Sequence, residues 1–178
     1  MKTVKQSSFF LLPIACCILL ILFSSCGVYK FTDASVDPAI KTVRVQYIDN
    51  KARFINSQLS PNLTEKLRQK IVSQTRLNQT NNDNADYDIS GEIREYSVTT
   101  SGVTSNNGQS QSSIQRLNVS VHITVINNKK EGEVKEYDVT RNFDFSANQS
   151  LQDAERALLD EMVRTLADEI FNRIFSNW

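Results

Sequence analysis

Cysteine is scarce in this chain. Of three in 178 residues, Cys16 and Cys17 lie inside an apolar run near the start, and only Cys26 follows it. One thiol cannot close a disulfide within the chain or build a thiolate zinc site. Histidine is scarcer still. His122 is the only one, and a Ser–His–Asp set or a histidine metal centre needs more matching elements than it can supply. The five glycines are scattered, so no glycine-rich loop is available to cradle a phosphate. Charge of one sign never accumulates, and the basic footprint of a nucleic-acid-binding protein is missing. These absences argue against an enzyme and set nucleic acid aside. They also leave no resident cofactor or metal to expect.

The beginning of the chain has a pattern of its own. Lys2 and Lys5 precede an apolar stretch from Phe9 to Phe23, interrupted only by Pro13, and Ser24-Ser25 follow it. A basic start, a short apolar core and a small-residue exit describe an export signal. The core is shorter than the roughly 20 residues a spanning helix requires. The expected organisation is therefore a removable signal at 1–25 and a single domain at 26–178, a size that buries a real core without disulfides. Residues 1–25 hold two of the 20 basic residues and none of the 20 acidic ones, which leaves 18 against 20, a net charge of −2.

Phe23-Ser24-Ser25-Cys26 resembles a bacterial lipobox. There the cysteine sulfur takes a diacylglycerol, the signal is cut away, and the new terminal amine is usually acylated too. Two small residues before the cysteine give the processing enzymes access, and Ser24 and Ser25 satisfy that need. Phe23 departs from the usual leucine, and Leu22 stands one place further back. The alternative is an ordinary signal cut beside a chance cysteine. Each buried acyl CH₂ contributes about 0.8 kcal/mol, so two or three chains anchor stably in a bilayer. Gly27 rather than aspartate follows the cysteine, and no acidic run comes next, which points to an outer-membrane anchor with the domain facing the periplasm.

In the body of the chain, Val43, Val45 and Tyr47 alternate with Arg44 and Gln46, a strand period. Ser60-Pro61 reads as a helix cap followed by proline at the first helical position. Leu63, Leu67 and Ile71 then recur at helical spacing, to about Thr75. From Tyr87 the period returns to two, with Ile89, Gly91 and Ile93 on one face. Ser101 to Ser113 is rich in Gly, Ser, Asn and Gln and carries no charge, which predicts a mobile loop. Leu117, Val119, Val121, Ile123 and Val125 alternate with Asn118, Ser120, His122 and Thr124 in the clearest strand. That places His122 on a polar strand face, where a histidine is ordinarily solvated. Lys129 and Lys130 fall near the tip of the turn at 127–132, and a further strand runs from about Val134 to Phe145. Ser150 and Asp153 resemble a capping box. A long helix follows, with paired apolar residues from Leu158/Leu159 to Ile174/Phe175. Asp160–Arg164 and Glu169–Arg173 are spaced as i,i+4 ion pairs, and the carboxylates Asp153, Asp160, Glu161, Asp168 and Glu169 read as a solvated face. Two sequons, at Asn62 and Asn118, carry no weight beside a bacterial lipoprotein signal.

The predicted order is β-α-β-β-β-α. It implies an α+β two-layer sandwich, with about four mostly antiparallel strands and two helices on one face. The other face is left uncovered, and a partner is expected there. The uncharged polar row of the clearest strand fits contact with a polar wall, because hydroxyls and amides cost less to desolvate than charges.

Taken together, the lipobox, the Cys26-Gly27-Val28-Tyr29-Lys30-Phe31 start, the strand Val43–Ile48, the helix opened by Leu59-Ser60-Pro61 and the closing amphipathic helix resemble the LPS-assembly lipoprotein (LptE) family. The resemblance covers essentially the whole chain after the signal, and its sharpest parts are Cys26 and Leu63-Thr64-Glu65-Lys66-Leu67. It implies an outer-membrane lipoprotein that plugs an LptD-type β-barrel, helps it assemble and supports passage of lipopolysaccharide to the outer leaflet. It also implies lipopolysaccharide contacts by basic residues, for which Lys129 and Lys130 are the turn-borne candidates; ordinary turn lysines are the other reading. The rival function is a periplasm-facing accessory lipoprotein of another envelope machine, for secretion or lipid transport. A hydrolase lacks a site.

Cys26→Ala should leave an unprocessed or mislocalised precursor, because no other acceptor thiol follows the signal. Mass spectrometry of the wild-type chain should find Cys26 acylated at the new N-terminus; an unmodified Cys26 would refute the anchor.

Overall fold

Five side chains on one strand decide which side of the sheet is covered. Leu117, Val119, Val121, Ile123 and Val125 all turn the same way and are buried, at 5% exposure or less. The computed structural model describes residues 36–106 and 109–176; Cys26 and the signal segment lie outside the described residues. The elements are β1 (Thr42–Asn50), α1 (Leu59–Gln74), β2 (Asn78–Gln79), β3 (Tyr87–Asn106), β4 (Gln109–Asn127), β5 (Glu133–Ser146) and α2 (Leu151–Phe175). They form a five-stranded sheet in the order β2-β1-β3-β4-β5. Helix α1 packs over β1, α2 over β5, and the two helices pack on each other. The α+β two-layer fold expected from the sequence is present, with one more strand than expected.

β3, β4 and β5 are antiparallel neighbours, whereas β1 runs parallel to both β2 and β3. The physical reason is α1: a strand reached through a helix lying on the sheet returns in the same direction. The extra strand, β2, is two residues pairing Asn78 and Gln79 with Thr42 and Val43.

Strand β1 departs from strict alternation. Val45 pairs with Ile89, but Ile48 pairs with Gly91, so β1 carries one extra residue there. Val43 and Val45 are buried as predicted, yet Tyr47 is 53% exposed and Ile48 takes the core position. Helix α1 satisfies the irregular backbone. The Arg68 guanidinium donates to the Val45 carbonyl from Nε at 3.1 Å and from Nη2 at 2.7 Å. The Ile48 N–H donates to Thr64 Oγ1 at 3.0 Å, and that hydroxyl donates to the Ser60 carbonyl at 2.8 Å.

Two further expectations change. Ser60 does not cap α1. The helix starts at Leu59, Asn56 turns the chain in by accepting from the Gln58 N–H at 2.9 Å, and Ser60 is buried in the first turn. Pro61 is accommodated there because first-turn N–H groups have no partner within the helix. Residues 101–106 and 109–113 are not a loop: they extend β3 and β4, which pair antiparallel as far as Asn106↔Gln109, with irregularities at Gly102.

Ser150 caps α2 as the sequence implies, accepting from the Asp153 N–H at 3.2 Å. The Asp153 carboxylate, however, accepts from the Ser150 hydroxyl at 2.7 Å rather than from its N–H, so the bonds differ from those of a full capping box. The wide apolar stripe of α2 is used by the sheet and α1: Met162, Leu166, Ala167 and Ile170 are fully buried. Lys70 of α1 reaches Asp168 at 2.9 Å and lies over the Phe171 ring. Arg173 bonds Glu169 at 3.2 Å; among the described residues, Asp160 and Arg164 form no ion pair.

Val121→Asp places an unpaired carboxylate under the helices and should cost about 3 kcal/mol or more. Ser120→Asp, on the opposite face, should cost less than about 1 kcal/mol. Urea unfolding of the two variants compares them directly, and equal losses would contradict the register.

Candidate interaction surface

The face of the sheet away from the helices is built in cross-strand rows. Residues directly opposite in paired strands share a face, so the rows follow from the register. Asp88, Ser90, Glu92 and Ser97 of β3 line up with Ile126, Thr124, His122 and Asn118 of β4. Those in turn face Val134, Glu136, Asp138 and Asn142 of β5. The uncharged row read from β4 is therefore real but narrow, with carboxylates on both sides.

Most polar groups on this face are satisfied by each other. Arg116 grips Asp144 through two bonds, of 2.7 and 2.9 Å, which holds that carboxylate below its ordinary pKa. Asn118 Nδ2 donates to Thr99 Oγ1 at 3.1 Å, and Thr140 Oγ1 donates to Ser120 Oγ at 3.2 Å. Arg94 bonds Glu92 at 2.6 Å, and that bond first of all lowers the Glu92 pKa.

His122 is not solvated as its strand position implied. It is 8% exposed, walled in by the neighbouring strands. Its Nδ1 lies 2.7 Å from Asp138 Oδ1, and its Nε2 lies 3.9 Å from Glu136. No hydroxyl is bonded to the ring among the described residues, nor do they contain a cluster of metal-ligating side chains. The face presents hydrogen-bonding and charged groups suited to recognition.

At the β1-entry end, the Asp86 carboxylate accepts from the Lys41 N–H at 2.7 Å and the Thr42 N–H at 3.0 Å. Lys129 reaches its other oxygen at 3.2 Å, while the Asp86 N–H donates to Thr42 Oγ1 at 2.9 Å. Next to it, Asp88 is held by Arg44 at 3.0 and 2.5 Å and by Gln46 at 3.0 Å; Arg44 also pairs with Asp83.

The structure separates the two turn lysines. Lys129 is engaged with Asp86, while Lys130 lines a small cleft with Tyr87, Glu133, Lys135, Tyr137 and Ile174. That cleft shares Lys135, Tyr137 and Ile174 with a cavity of about 580 Å³ that also takes in Glu169 and Arg173. Lys130 and Lys135 thus border the cleft and Lys135 and Arg173 the adjoining cavity, with Lys135 3.8 Å from Glu133 and Arg173 3.2 Å from Glu169. Lys135 falls inside the strand expected from about Val134 to Phe145, and Arg173 reads in the sequence as half of a helical ion pair. Only the β4–β5 turn and the end of α2 meeting in space bring them together.

A family model described as LptE, lipopolysaccharide-assembly, matches residues 40–174, from just before β1 to the last turn of α2. Among solved structures, a putative neuraminyllactose-binding hemagglutinin homolog from Helicobacter pylori shares the fold. It is 9% identical, covers 75% of this chain and 81% of its own, and superposes with a TM-score of 0.52. A minor lipoprotein from Acinetobacter baumannii is 12% identical, with 75% and 91% covered and a TM-score of 0.46. Rare lipoprotein B from Shewanella oneidensis is also 12% identical, with 75% and 93% covered and a TM-score of 0.43. No curated protein matches the sequence.

Asp86 and Asp88 give the fold a defined acid sensitivity. Burial raises both pKa values, but hydrogen bonds outweigh it, from Lys41, Thr42 and Lys129 at Asp86 and from Arg44 and Gln46 at Asp88, so both end below the ordinary 3.8. A depressed carboxylate contributes stability that is fully present above its unfolded pKa and lost as pH falls through its folded one. The melting temperature should therefore be insensitive to these groups from neutral pH to about pH 5 and fall below 3.8. Asp86→Asn should melt lower at neutral pH and show a shallower acid limb; an unchanged limb would contradict the assignment.

Proposed function

The chain belongs to the LptE family of lipopolysaccharide-assembly proteins, and on that premise we propose that it is an outer-membrane lipoprotein, anchored through acylated Cys26, that plugs and helps assemble an LptD-type β-barrel. The observation that carries this reading is the helix-free sheet face. It is broad and polar, and it is rich in groups already paired with one another, such as Arg116–Asp144 and Ser120–Thr140. The lumen of a large outer-membrane barrel is polar. A polar wall is met at least cost by a surface whose charges are already compensated.

Lipopolysaccharide carries phosphates, and Lys130 lines the cleft beside the exposed turn, next to Lys135 and Arg173, which are paired with Glu133 and Glu169. Lys130 is therefore the stronger of the two turn candidates, because the Lys129 ammonium is already engaged by Asp86. The role is one of binding and assembly, with no catalytic step.

Solubilising outer membranes in mild detergent and purifying the tagged chain should recover a large β-barrel as its stable partner. Depleting the chain should leave that barrel misassembled and lipopolysaccharide stranded on the inner side. Recovery of a secretion or phospholipid-transport complex, without a lipopolysaccharide barrel, would overturn the proposal in favour of another envelope machine.

A further inference from the structure

A sheet edge is a row of unpaired backbone donors and acceptors, and folded proteins blunt such rows with charges, proline or very short strands. Two edges here are blunted. The outer strand β5 carries Glu133, Lys135, Glu136, Asp138, Arg141 and Asp144 along its length, and β2 at the far side is two residues long. A third edge is not. β1 pairs with β3 only as far as Asn50↔Ile93, while β3 continues to Asn106. Beyond Ile93 no described strand lies on that side of β3. From Ser97 to Asn106 the overhang contains no charge and no proline, and Val98, Thr99, Thr100 and Ser101 are all exposed.

The base of this overhang has a distinct surface. After β1 the chain keeps to the edge for one more bond, with the Lys51 N–H donating to the Ile93 carbonyl at 2.9 Å. It then turns away, and Asn56 Nδ2 donates to the Tyr96 hydroxyl at 3.4 Å. The intervening residues Phe54 and Ile55 are 58% and 67% exposed. A segment laid along Ser97 onward would continue the line of β1 and meet these two side chains where it begins.

We propose that the free edge of β3 from Ser97 toward Asn106 is a strand-addition site for an extended, uncharged segment of the barrel partner, which begins against Phe54 and Ile55. The inference rests on the plug reading and names how the plug is held. The edge borders the open face, so a wall that covers the face also strips water from the edge. A backbone group left unpaired there loses its water without gaining a partner, which is costly. Another extended backbone offers donors and acceptors at the matching repeat, which is how added strands bind exposed edges. From Ser97 onward, past Arg94 and Glu95, the edge carries no charge to complement, so it selects a neutral segment, and Phe54 with Ile55 selects an apolar residue at one end.

Two readouts on the full lipidated chain test this. Amide exchange at Ser97–Thr100 should slow at least about tenfold in the purified barrel complex relative to the isolated chain. A photo-crosslinking residue at Thr100, whose side chain shares the helix-side face of β3, should capture an uncharged barrel segment in cells. The same residue at Ser120 on the open face should also capture the barrel, and at Glu161 on α2 it should not. Capture from Ser120 with no capture or protection at the edge overturns the strand addition and leaves the plug standing. Capture from neither position overturns both, and capture of a second copy of this chain from Thr100 overturns the barrel as occupant.

Discussion

Two helices cover one face of a five-stranded sheet, and everything else about this chain follows from how the other face copes. Leu117, Val119, Val121, Ile123 and Val125 drive the covered side, where Leu63, Leu67, Met162 and Leu166 meet them with essentially no exposure. Period-two geometry then sends the intervening side chains to the uncovered side. That side cannot be apolar without inviting aggregation, and it is not: Arg116 answers Asp144, Asn118 answers Thr99, and Arg94 answers Glu92. A face arranged this way is soluble in water and can also lie against a polar protein wall, a combination that an assembly lipoprotein requires.

The parallel insertion of β1 is the second constraint. A strand that arrives through a crossover helix has no tight turn to fix its register, so side chains fix it instead. Asp86 ties the start of β1 to β3 and to the β4–β5 turn, Asp88 takes Arg44 and Gln46, and Arg68 with Thr64 holds the extra residue between Val45 and Ile48. Gly91 matters here too: a Cβ at that position would lie 2.6 Å from the Ile123 side chain, so glycine lets β3 and β4 close under Ile48. The same clamp engages Lys129 through Asp86, whereas Lys130 lines the cleft with Lys135.

Legibility tracked locality. The β4 row, the α2 cap at Ser150 and the stripe from Met162 to Phe175 each depend on residues a few positions apart, and each appears as the sequence implies. Tyr47 and Ile48 exchanged places because Thr64 and Arg68, far along the chain, stabilise a bulge that no strand period contains. Ser60 looked like a cap by composition, but Asn56 turns the chain first. Residues 101–113 looked like a loop because Ser, Asn and Gln dominate; antiparallel pairing of the two halves overrides that composition. The parallel direction of β1 and the meeting of Lys130, Lys135 and Arg173 around the cleft and its adjoining cavity depend on long-range topology, and neither leaves a mark on neighbouring residues. For the same reason β4 alone suggested an uncharged face, whereas Glu92, Glu136 and Asp138 come from the strands beside it.

The central claim is that the open sheet face, rather than the helical layer, meets the partner. Carboxyl footprinting measures it most directly, by comparing the chain in native cell-envelope membranes with the isolated chain. Glu136 and Asp138, whose side chains are 64% and 69% exposed, should lose most of their labelling in membranes, while Asp160 and Glu161 on the outer side of α2 keep theirs. Protection of Asp160 and Glu161 with Glu136 and Asp138 still fully labelled would contradict the account.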